Sequence, residues 1–221
     1  MLQLHYHPGN ASLIPHLVLE EIGAPFELAF VDRSVAAHKS PAYLKLNPNG
    51  LIPVLVDSGS DGGASSPLVL YETAAVCLHL ADTHPDADLM PPLGSAARAH
   101  AYKWLAWLAT TMQATLILYF YPERWADDAT DAARVKAHAE AKVGAMLEQL
   151  DAEFARHGAP WLLGERFSIA DPYAFVLCRW TRGFTRPARS LPHLKPFLDR
   201  MLARPAVQRA FAAEGLKAPW V

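Results

Sequence analysis

A run of turn-forming residues followed by a proline-interrupted strand constrains this chain more than any other feature. Asn47-Pro48-Asn49-Gly50 predicts a tight bend, and the apolar run 51–56 predicts a short buried strand. Proline has no N–H to give to a sheet, so Pro53 breaks or bulges that strand. We predict a cis peptide bond between Ile52 and Pro53, which leaves the Ile52 N–H and C=O open to another extended backbone, such as a peptide ligand. The alternative is an ordinary trans proline at the entry of a strand.

The segments around this turn alternate between strand and helix patterns. Strands that are joined through a helix lie parallel with a right-handed crossover, so the first two strands are expected to be parallel. The stretch 57–67, rich in Gly, Ser and Asp, predicts a solvated hairpin loop. In chain order the sequence predicts a strand at 2–6, a helix at 12–22, strands at 26–31, 51–56 and 68–70, and a helix that opens at Tyr71-Glu72-Thr73.

The second half of the chain carries helix patterns with little strand signal. Residues 83–92 are rich in proline and predict a linker. Ser168 and Asp171 form a capping box before an apolar helix, where they satisfy free N–H groups. We therefore expect an α+β domain over 1–82 and an all-α domain over 93–221.

Composition and charge exclude several functions. The net charge of −2 gives no electrostatic case for nucleic acid or an anionic membrane surface. There is no apolar run of about 20 residues and no signal-peptide pattern, so we expect a cytoplasmic protein without a membrane partner. Cys77 and Cys178 lie in apolar helical patterns and are expected to be reduced, buried thiols. His5 and His7 share a strand face, but two ligands are too few for a zinc site, and no metal is expected.

The motif Asn-Pro-x-Gly-x-Ile-Pro-Val-Leu, a second strand and Glu-Thr-Ala-Ala-Val together resemble the glutathione-binding half of the glutathione S-transferases. The resemblance covers nearly the whole chain, including the capping box. It implies a thioredoxin-like first domain with a four-stranded mixed sheet and helices, in which Ile52 and Pro53 hold glutathione. It also implies an all-α helical-bundle domain that forms the acceptor-substrate pocket, glutathione as a co-substrate, and a homodimer.

The same resemblance implies roles for two pairs of neighbouring residues. At the opening of a helix, free N–H groups near Thr73 bind the γ-glutamyl carboxylate of glutathione, and Glu72 pairs with its ammonium. His38 and Lys39 pair with the glycyl carboxylate, in a His-Lys-x-Pro order that resembles the theta-like and phi-like classes. Helix capping is the alternative for the first pair, and solvated loop charge is the alternative for the second.

The opening of the first helix determines the chemistry. Tyr6-His7-Pro8-Gly9-Asn10-Ala11-Ser12-Leu13-Ile14-Pro15-His16 resembles the bacterial beta-class opening Tyr-x-Pro-Gly-x-Cys-Ser-Leu-x-Pro-His. Ala11 stands where that class has its cysteine, so no mixed disulfide with glutathione forms there. A thiol has a pKa of about 8.5, and a helix N-terminus and a hydrogen-bond donor lower it. The candidate donors are Ser12, Asn10 and Tyr6. We prefer Ser12, and N-capping is the alternative for Ser12 and Asn10.

Three residues of the helical half are candidates for the acceptor pocket. The resemblance to the beta class implies that Gln113-Ala114 stands in the place of that class's His-Lys pair. Tyr119 and Trp125 are candidate walls, with core packing as the alternative. We predict a glutathione transferase that joins the glutathione thiolate to a small apolar electrophile. The alternative, which Ala11 and Gln113 keep open, is a catalytically weak glutathione-binding or scaffold protein of the same fold. A glutathione-dependent reductase or peroxidase is a third option, which lacks its cysteine.

Overall fold

The computed structural model of the chain describes residues 1–59 and 66–221. The central part of the predicted hairpin loop at 57–67 therefore lies outside the described residues. The chain forms two compact units, one made of Met1–Met90 with Arg204–Lys217 and the other of Pro91–Ala203 with Ala218–Val221.

The first unit is built on a four-stranded mixed sheet in the order β2-β1-β3-β4. Strands β1 and β2 are parallel, as the helix between them predicts, while β1–β3 and β3–β4 are antiparallel. The third strand is shorter at its start than predicted, because its ladder begins only after Pro53, which has no N–H to donate. The strands are β1 (Leu2–Tyr6), β2 (Phe26–Phe30), β3 (Val54–Asp57) and β4 (Leu68–Tyr71).

The helices predicted over 12–22 and from residue 71 onward begin within two residues of their predicted starts. In chain order the described helices are α1 (Leu13–Ile22), α2 (Pro41–Leu44), α3 (Thr73–Thr83), α4 (Ala96–Trp107), α5 (Ala114–Phe120), α6 (Ala129–His157), α7 (Ala170–Trp180), α8 (Leu194–Leu202) and α9 (Pro205–Ala213). Helices α1, α2, α3 and α9 belong to the first unit, and α4 to α8 belong to the second.

The position of α9 corrects the predicted division of the chain. We expected 93–221 to form one helical domain, but α9 packs on α1 in the first unit. Polar contacts add to the packing, since Arg209 donates to the Glu20 carbonyl at 2.8 Å and Arg204 donates to the Glu21 carboxylate at 2.7 Å. The apolar face of α9 is buried through Ala206, Val207, Ala210 and Phe211.

The strand register brings several turns to one edge of the sheet. His5 of β1 pairs with Val54 of β3, and Val54 pairs with Tyr71 of β4. The end of β1, the start of β3 and the end of β4 are therefore neighbours. The turn into α1 and the opening of α3 directly follow these strand ends, and the Ile52–Pro53 bond directly precedes one of them, so Ile52, Pro53, Glu72 and Thr73 share this edge.

The second unit is helical, as predicted. A π-helical segment, Leu108–Gln113, joins α4 to α5, so the helix is continuous from one to the other but locally widened. The capping box forms as expected, because the Asp171 carboxylate accepts the Ser168 N–H at 2.8 Å. The same carboxylate accepts the Leu162 N–H at 2.8 Å and thereby also fixes the turn before α7.

Both cysteines are free and buried, as predicted. Burial raises the pKa of the Cys178 thiol to about 12, and it also raises the pKa of the Cys77 thiol. Both thiols stay protonated near neutral pH, so neither is an activated nucleophile. Among the described residues, no helix is long and apolar enough to cross a membrane.

Candidate functional site

The segment before β3 offers an unpaired stretch of backbone. The Ile52–Pro53 peptide bond is cis, as predicted. In the described part of the chain, neither the N–H nor the C=O of Ile52 has a hydrogen-bond partner. The Ile52 side chain packs against the cluster of Val31, Tyr43 and Val54, so the residue is anchored while its backbone groups stay available.

The carbonyl of Leu51 fixes the approach to this segment. It accepts hydrogen bonds from the Tyr43 hydroxyl and from Nδ2 of Asn47, both at 2.9 Å. Burial raises the pKa of the Tyr43 phenol, so the hydroxyl remains a donor throughout the working pH range. No sequence pattern pointed to Tyr43, because its reach to Leu51 depends on how α2 lies over the turn.

His38 and Lys39 lie against the turn that precedes Ile52. The Lys39 ammonium donates to the carbonyl of Asn49 at 3.1 Å. Gly50 has φ +58°, and a Cβ atom there would stand 2.8 Å from Cδ of Lys39 and 2.9 Å from the His38 carbonyl oxygen. Only glycine fits this contact, which brings the predicted partners of the glycyl carboxylate beside the Ile52 segment.

The opening of α3 leaves polar groups unused. Glu72 has φ +71°, and its exposed side chain caps no helix N–H, so the capping interpretation does not account for it. The first helical hydrogen bond runs from the Val76 N–H to the Glu72 carbonyl at 3.0 Å. The N–H groups of Thr73, Ala74 and Ala75 have no partner within the described residues. Such a helix N-terminus attracts anions, through its N–H groups and its dipole.

The Ser12 hydroxyl forms its hydrogen bonds within the turn that opens α1. It donates to the His7 carbonyl at 3.2 Å and accepts the His7 N–H at 3.2 Å, and the side chain is fully buried. It makes no capping hydrogen bond to α1 either. The structure therefore does not support our preference for Ser12 as the donor to a bound thiolate, because the hydroxyl is buried and already donates its proton to the His7 carbonyl.

The Asn10 amide differs from the Ser12 hydroxyl, which already donates its hydrogen bond within the protein. Its Oδ1 atom accepts the Ala11 N–H at 2.6 Å, which orients the amide and assigns Nδ2 to the other side. Nδ2 has no hydrogen-bond partner among the residues that the structure describes, and the side chain is partly exposed. The third candidate, Tyr6, packs its ring edge-on to His16 and Phe30. The Tyr6 hydroxyl also has no hydrogen-bond partner among the described residues, so Asn10 and Tyr6 both keep a donor, and of the two Asn10 is the one in the turn that opens α1.

His5 and His7, predicted to share a strand face, have separate partners, and His7 lies one residue beyond the end of β1. The ring of His7 forms a hydrogen bond through Nδ1 with the Val31 carbonyl at 3.0 Å, and the His5 ring meets Tyr43 edge-on. Within residues 1–59 and 66–221, no group of three or more His, Cys, Asp or Glu side chains is arranged to hold a metal ion.

The candidate acceptor residues lie in the second unit and have different surroundings. The Tyr173 hydroxyl donates to Oε1 of Gln113, at the end of the π-helical segment. The Tyr119 ring packs on Phe184 with centroids 4.4 Å apart, and burial together with Glu140 raises the pKa of its phenol. Trp125 is 52% exposed. Among the described contacts, no hydrogen bond or ring contact joins Gln113, Tyr119 and Trp125, so their common pocket stays a prediction.

Comparisons with known proteins agree with the arrangement in the first unit. The family model of the glutathione S-transferase N-terminal domain matches residues 11–83, and that of the C-terminal domain matches residues 107–205. The chain is 34% identical over 218 residues to glutathione S-transferase GstA of Escherichia coli O157:H7, an alignment that covers 98% of this chain and 100% of that protein. The chain belongs to the glutathione S-transferase family. Its enzyme class and its thioredoxin-like and helical domains are confirmed as predicted.

Solved structures of transferases extend the agreement to the fold. A glutathione S-transferase from Xylella fastidiosa superimposes with a TM-score of 0.86 at 31% identity, covering 98% of this chain and 100% of that one. A glutathione transferase homologue from Sulfitobacter, with bound glutathione, gives a TM-score of 0.85 at 29% identity over 98% of this chain and 99% of that one.

Proposed function

We propose that this transferase binds glutathione at the edge of the sheet and presents its thiolate to a small apolar electrophile. The observation that carries the proposal is that the Ile52 backbone, and the first N–H groups of α3 at the same edge of the sheet, have no partner within residues 1–59 and 66–221. Buried or partly buried backbone groups are nearly always paired in native proteins, so unpaired groups at one edge favour a ligand that pairs with them.

The parts of glutathione match the groups along this edge. The N–H and C=O of Ile52 would pair with the cysteinyl backbone in the manner of an added strand. The free N–H groups at Thr73 would bind the γ-glutamyl carboxylate, and the exposed carboxylate of Glu72 would pair with the adjacent ammonium. His38 and Lys39 would hold the glycyl carboxylate, since the Lys39 ammonium has three N–H donors and its contact with Asn49 uses one.

The first helix supplies the conditions for ionising the thiol. Lowering a thiol pKa from about 8.5 by two units requires about 2.7 kcal/mol of preference for the thiolate. The dipole of α1 contributes part of this, up to about 1 kcal/mol at an exposed terminus. A hydrogen bond from Nδ2 of Asn10 would supply much of the rest, because bonds to charged groups contribute about 1.5–3 kcal/mol. Ala11 offers no sulfur, so the chemistry is substitution or addition by the glutathione thiolate.

The acceptor is proposed to be small and apolar, and Gln113, Tyr119 and Trp125 stay the candidate residues for its pocket. Tyr173 orients the Gln113 amide through Oε1, which leaves Nε2 as a donor for a polar group of the electrophile. The assembly is proposed to be a homodimer in the cytoplasm, which light scattering and cell fractionation would test.

The test uses immobilised glutathione and then conjugation. The protein is expected to be retained by the resin and released by free glutathione, and to conjugate at least one of an activated aryl halide, an enone and an epoxide. Retention without conjugation would favour the alternative, a glutathione-binding or scaffold protein of the same fold, which the replacement of the beta-class cysteine by Ala11 favours. Failure to bind glutathione would contradict both.

A further inference from the structure

A buried carboxylate from the end of α9 contacts the turn that opens α1. The Glu214 side chain is fully buried, and its Oε2 atom accepts the Gly9 N–H at 2.7 Å. Its Oε1 atom lies 2.8 Å from Nδ1 of His16. Burying an ionised carboxylate is costly unless it is paired and hydrogen-bonded, and in Glu214 each oxygen has a partner.

His16 fixes the orientation of this carboxylate. The histidine is fully buried on α1, with the rings of Tyr6 and Phe26 edge-on at centroid distances of 6.4 and 5.6 Å. Because an ionised carboxylate only accepts hydrogen bonds, Nδ1 carries the proton. The Nε2 atom has no hydrogen-bond partner in the described part of the chain, and Oε1 of Glu20 lies 3.9 Å from it. His16 therefore holds one carboxylate oxygen and leaves the other to Gly9.

The bond to Gly9 acts one residue before Asn10. Gly9 has φ +67°, a conformation that glycine adopts without a steric penalty, and the Asn10 N–H donates to the His7 carbonyl at 3.1 Å. We propose that Glu214 is a positioning residue, which holds Gly9 and, through it, the Asn10 amide at the place where the glutathione thiolate binds. The inference rests on the proposed function and extends it to a residue 205 positions along the chain.

A positioning role predicts a specific sensitivity. Misplacing a catalytic group by about 1 Å costs roughly a hundredfold in rate, whereas gross binding of the substrate tolerates such a shift. Ile52 and Glu72 bind other parts of glutathione in the proposed site. Loss of Glu214 should therefore reduce thiolate formation and turnover far more than affinity.

Two substitutions of Glu214 separate position from charge. The amide of Glu214→Gln can accept the Gly9 N–H with its oxygen and donate its NH₂ to Nδ1 of the other His16 tautomer, so it keeps the bridge and removes the charge. Glu214→Ala removes both. Arg209→Ala is the matched control, because Arg209 joins α9 to α1 through Glu20 without reaching the turn.

We expect Glu214→Ala to lower kcat/KM near neutral pH by roughly tenfold to a hundredfold. The pKa of the bound glutathione thiol, followed by the ultraviolet absorbance of the thiolate, should rise, while the Kd for glutathione changes by less than about threefold. Glu214→Gln should recover most of both losses, and Arg209→Ala should leave both values unchanged.

Three outcomes would overturn the proposal. The first is a folded Glu214→Ala protein with an unaltered thiol pKa and kcat/KM. The second is a Glu214→Gln protein as impaired as the alanine variant, which would show that keeping the bridge between Gly9 and His16 does not preserve the site. The third is an equal loss in Arg209→Ala, which would assign it to the packing of α9. If the unsubstituted chain itself neither binds glutathione nor ionises its thiol, the proposed function fails. That result is distinguishable from the three above, which are measured on the variants.

Discussion

The N-termini of α1 and α3 lie at the same edge of the sheet but use their polar groups in opposite ways. At α1 the Ser12 hydroxyl bonds both backbone groups of His7, and the Leu13 N–H bonds the Asn10 carbonyl. At α3 the Glu72 side chain and the first N–H groups have no partners among the described residues. Groups that form hydrogen bonds within the protein stabilise its local conformation, and groups without such a partner are available to a ligand. The comparison predicts which substitutions affect stability and which affect binding.

The largest effect on binding is expected at α3. Glu72→Ala should weaken glutathione binding by about 1.5–3 kcal/mol, the range for a hydrogen bond to a charged group. Stability should change little, because the side chain caps nothing and is exposed. Calorimetry measures the affinity, and denaturant unfolding measures the stability.

Glu72→Gln is the control for that substitution, because it keeps the length of the side chain and removes its charge. It should lose most of the same affinity if the partner is the ammonium of glutathione. Unchanged affinity in both variants would mean that the N-terminus of α3 binds glutathione without a contribution from the Glu72 side chain.

The opposite result is expected at α1. Ser12→Ala should lower the free energy of unfolding by about 1–3 kcal/mol, because it leaves the His7 N–H without its acceptor. The pH–rate profile of the folded variant should match that of the unsubstituted protein. A profile shifted to higher pH, with stability unchanged, would restore Ser12 as the thiolate donor.

A smaller, purely chemical effect is expected at Asn10. Asn10→Ala removes the unpaired Nδ2 donor and should raise the pKa of the bound thiol by about one unit, a change of about 1.4 kcal/mol. A raised thiol pKa reduces the thiolate fraction below that pKa, so conjugation should fall about tenfold near neutral pH and recover at high pH. The measurement is the pH dependence of kcat/KM.

Asn10→Asp provides the matched comparison. It keeps the acceptor for the Ala11 N–H but replaces the donor with a negative charge. The thiol pKa should rise further than in Asn10→Ala, because a like charge disfavours the thiolate. A pKa equal to that of the unsubstituted protein in both variants would exclude Asn10.

Local sequence patterns predicted the polar groups that are available to a ligand better than the polar groups that form hydrogen bonds within the protein. Pro53 interrupts a strand and Glu72 opens a helix, and both features are visible in a few consecutive residues. The partners of Ser12 and Gly9 depend on where the turn folds back and on Glu214 from the last helix. Contacts over such separations leave no mark in hydrophobic periodicity or turn chemistry. The thioredoxin-like fold was therefore predictable, and the choice among Ser12, Asn10 and Tyr6 was not.

The smallest effect is expected at Tyr43, whose hydroxyl already donates a hydrogen bond to the Leu51 carbonyl. Tyr43→Phe keeps the buried ring and removes one of the two hydrogen bonds that this carbonyl accepts, while Asn47 still supplies the other. The free energy of unfolding should fall by about 0.5–1.5 kcal/mol, and the Kd for glutathione should change by less than about threefold. Because burial raises the pKa of this phenol, its contribution to stability should not vary with pH between 6 and about 9. Denaturant unfolding and calorimetry of the same variant measure both quantities. A loss of affinity larger than the loss of stability would contradict the comparison, since a group paired within the protein would then act mainly on the ligand.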